Sequence, residues 1–244
     1  MPHSQPPLTF EEVVPRIMPN QLVLASRSPR RRELLKALCP LAEIEILPPP
    51  RSDERGFEDC HDWPSIEARI QLIAREKSEA VEAVLSSRGG AAGAIVIAAD
   101  TAIVVREATD RLRVLGQPPE DPTWPAVVRD WFTRHYLGQT HWAISGLCVL
   151  WPSGERRVAV VRTAVTFHSP PQDIDWYLST EEPRGKAGGY AIQGAGSVFV
   201  SRVEGSLSNV VGLPLEVLGD WLPGKSSANT PDKSRDTCTT GRDH

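Results

Sequence analysis

QLVLASRSPRRRELL, residues 21–35, decides how the rest of the chain is read. Leu22, Val23, Leu24 and Ala25 make a short apolar strand. The chain turns at Ser26-Arg27-Ser28, and Ser28 followed by Pro29 supplies the cap and first position of a helix. Leu34, Leu35 and Leu38 give that helix its buried face. A strand running straight into a helix is a building unit of α/β folds. This one also carries free backbone N–H groups, two hydroxyls and Arg30, Arg31 and Arg32 at a single point. The helix dipole is already positive there, so added cations are mildly unfavourable. Two readings stand. Either the arginines face water, or an anion sits at the turn, which can seat phosphate even without glycines. Successive helical residues point about 100° apart. One or two guanidinium groups could then fork onto phosphate while the third faces solvent.

Working outward, the 244 residues suffice for one large domain or two small lobes. The formal charge of −4 gives no global field toward nucleic acid or membrane, so any anion site has to be local. Four cysteines (Cys39, Cys60, Cys148, Cys238) form no CxxC pair, and Cys60 beside His61 is a lone dipeptide. The expectation is free thiols in a reducing, cytoplasmic compartment. No apolar run reaches membrane-spanning length, and the N-terminus lacks a signal-peptide pattern.

Residues 1–20 read as a proline-rich N-terminal extension, with a short helical turn near Glu11–Ile17, and 223–244 as a flexible polar tail. The domain between them covers 21–222. Its pattern predicts a loop over 47–64, a long helix from Ser65 to about Leu85, and a buried strand over 94–105 broken at one acidic residue. Residues 106–124 read as loop and turn, and Ala126–Tyr136 as a helix. Two strands flank Pro152-Ser153-Gly154 as a hairpin. A helix from Ser169-Pro170 to about Leu178, a glycine-rich loop over 183–197, a strand over 197–203 and a helix from Pro214 to about Trp221 complete an α/β fold with a mixed sheet.

Four further places invite chemistry. Asp100 stands between apolar residues in "IVIAADTAIVV"; a buried charge is costly unless paired or metal-bound, and such carboxylates hold Mg²⁺ or activate water in open α/β sheets. The alternative is a surface residue in a bulge. Lys77 lies on the stripe formed by Ile66, Ile70, Ile73, Val81 and Val84, so it either snorkels outward or reaches something negative. In "EPRGKAGGYAIQGAGS" (182–197), Lys186 sits among glycines that allow close backbone approach, and Gln193 offers a donor and an acceptor suited to a base edge. Asp53-Glu54, in an acidic, proline-rich loop, reads in isolation as a solvated pair.

Together these stretches resemble the Maf family of nucleotide pyrophosphatases, septum-formation proteins related to the inosine-triphosphate pyrophosphatases. "LASRSPRRRELL" is similar to the family's opening, "LIAREKSEAV" (72–81) to its helix, "AADTAIVV" (98–105) to its Ala-Asp-Thr strand, and "EEPRGKAGGYAIQGAGSVFVSRVEGSLSNVVGLPLEVL" (181–218) to its closing run. The resemblance implies an elongated mixed sheet with flanking helices, in two lobes around a cleft. It implies hydrolysis of nucleoside triphosphates to monophosphate and pyrophosphate with Mg²⁺ or Mn²⁺, and suggests a homodimer. It places Asp100 as proton acceptor, and Ser26, Arg31, Glu54, Lys77 and Lys186 on polar cleft positions. The mechanism expected from this has Glu54 and Asp100 holding the metal, with Lys77 stabilising charge at the α-phosphorus or orienting Asp100. Arg30, Thr101 and Gln193 form the set of the dTTP/UTP branch, which implies dTTP and UTP, with modified pyrimidine nucleotides as a further substrate class. The chain departs from the family at Gln117, where a lysine usually faces the phosphates, at Gly185, which replaces an aspartate, and at Ala191, often glycine. A second reading is a nucleotide- or nucleic-acid-binding regulator of cell division with weak or no catalysis; the negative charge and the lack of a broad basic face argue against nucleic acid.

Overall fold

A computed structural model describes residues 21–50, 56–89, 93–168 and 174–222. The expectations for Glu11–Ile17, both termini, Asp53-Glu54 and the Ser169-Pro170 helix start lie outside the described residues. The element order is β1 (Gln21–Leu24), α1 (Pro29–Leu38), β2 (Glu43–Ile46), α2 (Trp63–Ser87), β3 (Ile95–Arg106), β4 (Leu112–Leu115), α3 (Trp124–Trp131), β5 (Thr140–Leu150), β6 (Arg156–Phe167), α4 (Ile174–Ser179), β7 (Val200–Glu204), α5 (Leu207–Val211) and α6 (Leu215–Trp221). One mixed sheet runs β2-β1-β3-β5-β6-β7, with β4 also paired to β3. β1 is parallel to β2 and β3; the other pairings are antiparallel.

Strand β3 is the spine. Its alternating side chains serve two faces. Val96 and Ala98 pack with Ala74 and Val81 of α2, and Ala102 and Val104 with Ile66 and Ile70. On the other face, Ile95, Ile97 and Ala99 meet Leu35 of α1 and Leu218 of α6, while Ile103 and Val105 enter an aromatic cluster with Phe132, Tyr136, Phe167, Tyr177, Tyr190 and Phe199. The expected break at the acidic residue does not occur. β3 is continuous, and its ladder with β5 runs from Val96 to Val104. The charge of Asp100 is met by a side chain, so the backbone has no need to leave the ladder.

What does change is the partner on the opposite edge. β1 pairs only with Ile95–Ile97 and β4 only with Ile103–Arg106. Between them the edge at 98–102 faces a cleft. Beside it, Gly146 of β5 lies opposite Asp100 in register. A Cβ at Gly146 would overlap the Ile70 carbonyl, so glycine lets α2 approach the sheet closely next to Asp100.

Other boundaries differ from the sequence expectation. Helix α2 begins at Trp63 because Asp62 caps it: Ser65 N–H donates to Asp62 Oδ1 at 2.9 Å, and the Ser65 hydroxyl sits in reciprocal contact. Pro64 fits the first turn, where no N–H is needed. The 106–124 stretch contains β4, reached through a turn at Asp110 with φ of 63°; an aspartate adopts that conformation at modest cost, so no glycine marks the turn. β2 and α5 were not expected. The helix over 126–136 ends as a π turn (Phe132–Tyr136), and the expected strand over 197–203 begins as a 3₁₀ turn (Ala195–Phe199) before β7. Cys39, Cys60 and Cys148 are buried free thiols. Among the described residues no helix is long and apolar enough to cross a membrane.

Candidate functional site

The cleft at the open edge of β3 has a volume of about 480 Å³. Ser26, Arg30, Arg31, Lys77, Asp100, Thr101, Lys186 and Gln193 all line it, as does Gln117. Glu54 lies outside the described residues. The sequence reading thus converges on one cavity from four separate segments.

The first wall is the turn after β1. Ala25 N–H donates to the Ile97 carbonyl at 2.8 Å, carrying the chain one step past the ladder. Ser26 Oγ accepts from Ser28 N–H at 3.1 Å, and Ser28 Oγ caps α1 by accepting from Arg31 N–H at 3.4 Å. The Arg31 guanidinium then spans the site. Nε donates to the Gly212 carbonyl at 2.8 Å, Nη1 to Ser26 Oγ at 3.1 Å and Nη2 to Thr101 Oγ1 at 3.1 Å. Thr101 Oγ1 also lies 2.8 Å from the buried Ser145 Oγ. Gly212 has a φ of 129°, a conformation that favours glycine at the point where its carbonyl meets Arg31. Arg32 is exposed and does not line the cleft.

On the floor, Lys77 Nζ lies 2.6 Å from Asp100 Oδ1, and both side chains are about 15% exposed (14% and 15%). Of the two fates open to Lys77, it reaches inward. The seven-residue step from Ile70 to Lys77 is close to two helical turns. The tight seat of Ile70 on Gly146 therefore directs Lys77 at Asp100. An ion pair this enclosed is held at a desolvation cost, which good geometry must offset.

The second wall is the 182–197 loop. Lys186 Nζ donates to the Glu182 carbonyl at 2.6 Å. Burial lowers the Lys186 pKa, and the Arg30 charge lowers it further. Two cations thus sense one another across the cleft, an arrangement that an anion between them would relieve. Behind them, the Gly188 carbonyl accepts from the Tyr136 hydroxyl at 2.8 Å, and the Tyr190 hydroxyl meets His141 Nε2 at 2.8 Å. Gln193 is exposed at the rim. The sequence reading did not single out Glu182, Ser145 or the Gly212 carbonyl. Glu182 carried a weak signal, standing twelve residues before a run of small residues; the other two act through contacts that no local pattern announces.

Among the described residues no group of three or more His, Cys, Asp or Glu gathers into a metal cage. Asp100 is the carboxylate among the described cleft residues. That fits a hard cation of the Mg²⁺ type, which commonly takes one or two carboxylates and completes its shell with water and substrate phosphate.

The family model described as Maf-like protein matches residues 21–224. A dTTP/UTP pyrophosphatase of Syntrophus aciditrophicus is 37% identical over 86% of this chain and 93% of its own length. One from an Anaeromyxobacter species is 42% identical over 83% and 88%, and one from Moorella thermoacetica 41% over 83% and 94%. A solved nucleoside-triphosphatase (dITP/XTP pyrophosphatase) from Mycobacterium abscessus is 16% identical over 62% of this chain and 76% of that one, with a TM-score of 0.34.

Proposed function

The chain belongs to the Maf-like family, and from that premise we propose that it hydrolyses dTTP and UTP to the monophosphate and pyrophosphate. The observation that carries the reading is the convergence of Arg30, Arg31, Lys77 and Lys186 on one cleft beside Asp100, in a chain of net charge −4. A triphosphate brings about four negative charges, and cleavage moves charge onto the departing pyrophosphate. Preorganised cations and donors are what such a reaction needs.

The Ser26–Arg31 turn and Lys186 hold the phosphate chain from opposite walls. Asp100 accepts a proton from water as its oxygen bonds to the α-phosphorus. The bond from that phosphorus to the bridging oxygen breaks, and its electron pair leaves with pyrophosphate. Lys77 holds Asp100 in place and opposes charge at the α-phosphate. Thr101 acts through Arg31, since its hydroxyl lies within the Arg31–Ser145–Gly212 network. Gln193 and Arg30 meet the base or its neighbourhood. Asp100, with phosphate oxygens, fits a divalent cation such as Mg²⁺ or Mn²⁺, which when bound would polarise the phosphate and lower the pKa of a water. Gln117 lines the cleft without a charge, so the other cations carry the phosphate load. Confinement of the cations to a cleft, rather than a broad face, weighs against the nucleic-acid reading.

The test is pyrophosphate release from a panel of nucleoside triphosphates, with and without Mg²⁺, by the wild-type chain and Asp100→Asn. The variant should keep its circular dichroism spectrum and lose on the order of 10²–10⁴-fold in kcat. Full activity in Asp100→Asn rejects the role of that carboxylate. Release from no nucleotide rejects the function.

A further inference from the structure

Glu182 bonds to Lys186 of the second wall and to the turn that follows Gln193. Its main-chain carbonyl takes the Lys186 ammonium at 2.6 Å. Its carboxylate accepts three hydrogen bonds. Oε1 takes Gly196 N–H at 2.9 Å and the Tyr177 hydroxyl at 3.1 Å; Oε2 takes Ala195 N–H at 2.7 Å. Ala195 and Gly196 open the 3₁₀ turn that starts two residues after Gln193. Burial, with the Glu182 carboxylate adding to it, raises the Tyr177 pKa, so that hydroxyl keeps the proton it donates.

The intervening residue is glycine for a reason visible in the geometry. Gly194 has a φ of −120°, extended backbone open to any residue. A Cβ there would overlap Glu182 Oε2. Glycine therefore makes room for the carboxylate rather than for an unusual backbone. The carboxylate, in turn, supplies acceptors to two adjacent N–H groups whose other partner would be water.

We propose that Glu182 is a positioning residue for nucleobase selection: its carboxylate fixes the backbone that carries Gln193, and hence the direction of the amide that meets the base. The proposal rests on reading the cleft as a triphosphate site. An amide suits this task because uracil and thymine offer an acceptor at O4 beside an N3–H donor, whereas cytosine offers a donor beside an acceptor. Discrimination between the two depends on the orientation of the amide, not merely its presence.

The experiment uses the full chain with Glu182→Gln, Gly194→Ala and the double variant. Glutamine keeps the shape but turns an N–H donor toward another N–H; the added methyl at 194 displaces the carboxylate. Steady-state rates with UTP, CTP and GTP, inhibition by inorganic pyrophosphate, and amide hydrogen exchange at residues 193–196 are measured. Each single variant should lower the UTP-to-CTP ratio of kcat/KM at least tenfold, and the double variant little further. Pyrophosphate inhibition should stay within twofold, and exchange at Ala195 and Gly196 should quicken at least tenfold in Glu182→Gln. Selectivity within twofold of wild type, whatever happens to kcat or Tm, overturns the proposal. A wild-type chain that releases no pyrophosphate overturns the triphosphate reading instead. The exchange measurement still reads out in that case, and unchanged protection at Ala195 and Gly196 removes the positioning role of Glu182.

Discussion

The two walls of the cleft are held by different means. The Ser26–Arg31 turn is tied across the fold: Arg31 reaches Gly212 at one nitrogen and Thr101 at another, and Thr101 rests on Ser145 of β5. The 182–197 loop is tied mostly to itself, through Glu182 and Tyr177, and then to the aromatic cluster through Tyr136 and Tyr190. A wall braced by distant segments has a preset shape, and its Arg31 end suits the constant part of a substrate, the phosphates, with Arg30 toward the base. A wall built from local turns can vary without disturbing the sheet, and its Gln193 end suits the variable part, the base, while Lys186 still reaches the phosphates. That division is the general reason that loops on a rigid scaffold carry specificity.

Arg31→Ala is the most severe way to break the contrast. It removes three hydrogen bonds from the first wall, and charge-assisted bonds contribute about 1.5–3 kcal/mol each in favourable settings. We expect kcat/KM for the triphosphate to fall about 100-fold, with monophosphate binding, measured by calorimetry, much less affected. Equal losses on both ligands would remove the distinction between the walls.

Acid should act next, and from behind the second wall. His141 is buried against Tyr136, Phe167 and Tyr190, and burial lowers its pKa to about 3. In the unfolded chain it protonates near 6.5. Between those values the unfolded state binds a proton that the folded state refuses, so stability falls as pH drops from 6.5 toward 3. The loss should reach about 2 kcal/mol by pH 5. Urea melts at pH 7 and pH 5 measure it, and His141→Phe should flatten the difference. An unchanged difference in that variant would place the acid sensitivity elsewhere.

Ser145→Ala is the mildest test. It withdraws the hydroxyl beneath Thr101 and leaves Arg31 its bonds to Gly212 and Ser26. One buried neutral hydrogen bond is worth about 1 kcal/mol. We expect about a fivefold fall in kcat/KM, with base selectivity unchanged. A shift in selectivity would show that the two walls are coupled.

Much of the site was legible because its residues obey local rules. Ser28 and Pro29 announce a capped helix, and Lys77 interrupts an apolar stripe at a position that has to be answered. Asp100 does the same in a strand, although the answer proved to be an ion pair on an unbroken ladder and not a break. The less legible parts depend on distance. The partner switch on β3 follows from where β1 stops and β4 starts, and β4 begins after a turn at Asp110 that uses no glycine. Glu182 is not singled out by the sequence because its three acceptor contacts appear only once the loop has closed. The strand over 197–203 was placed early for the same reason: those two captured N–H groups turn the chain before β7.

The bond from Arg31 to Gly212 joins residues 181 positions apart. At about 5–20 residues per second, a ribosome needs on the order of 10–40 s to make the second after the first. Throughout that interval the nascent chain displays its basic turn without the carbonyl that will aim it. A message truncated before residue 212 would yield the whole arginine cluster with its Ser26 and Thr101 partners and without the acceptor for Arg31 Nε.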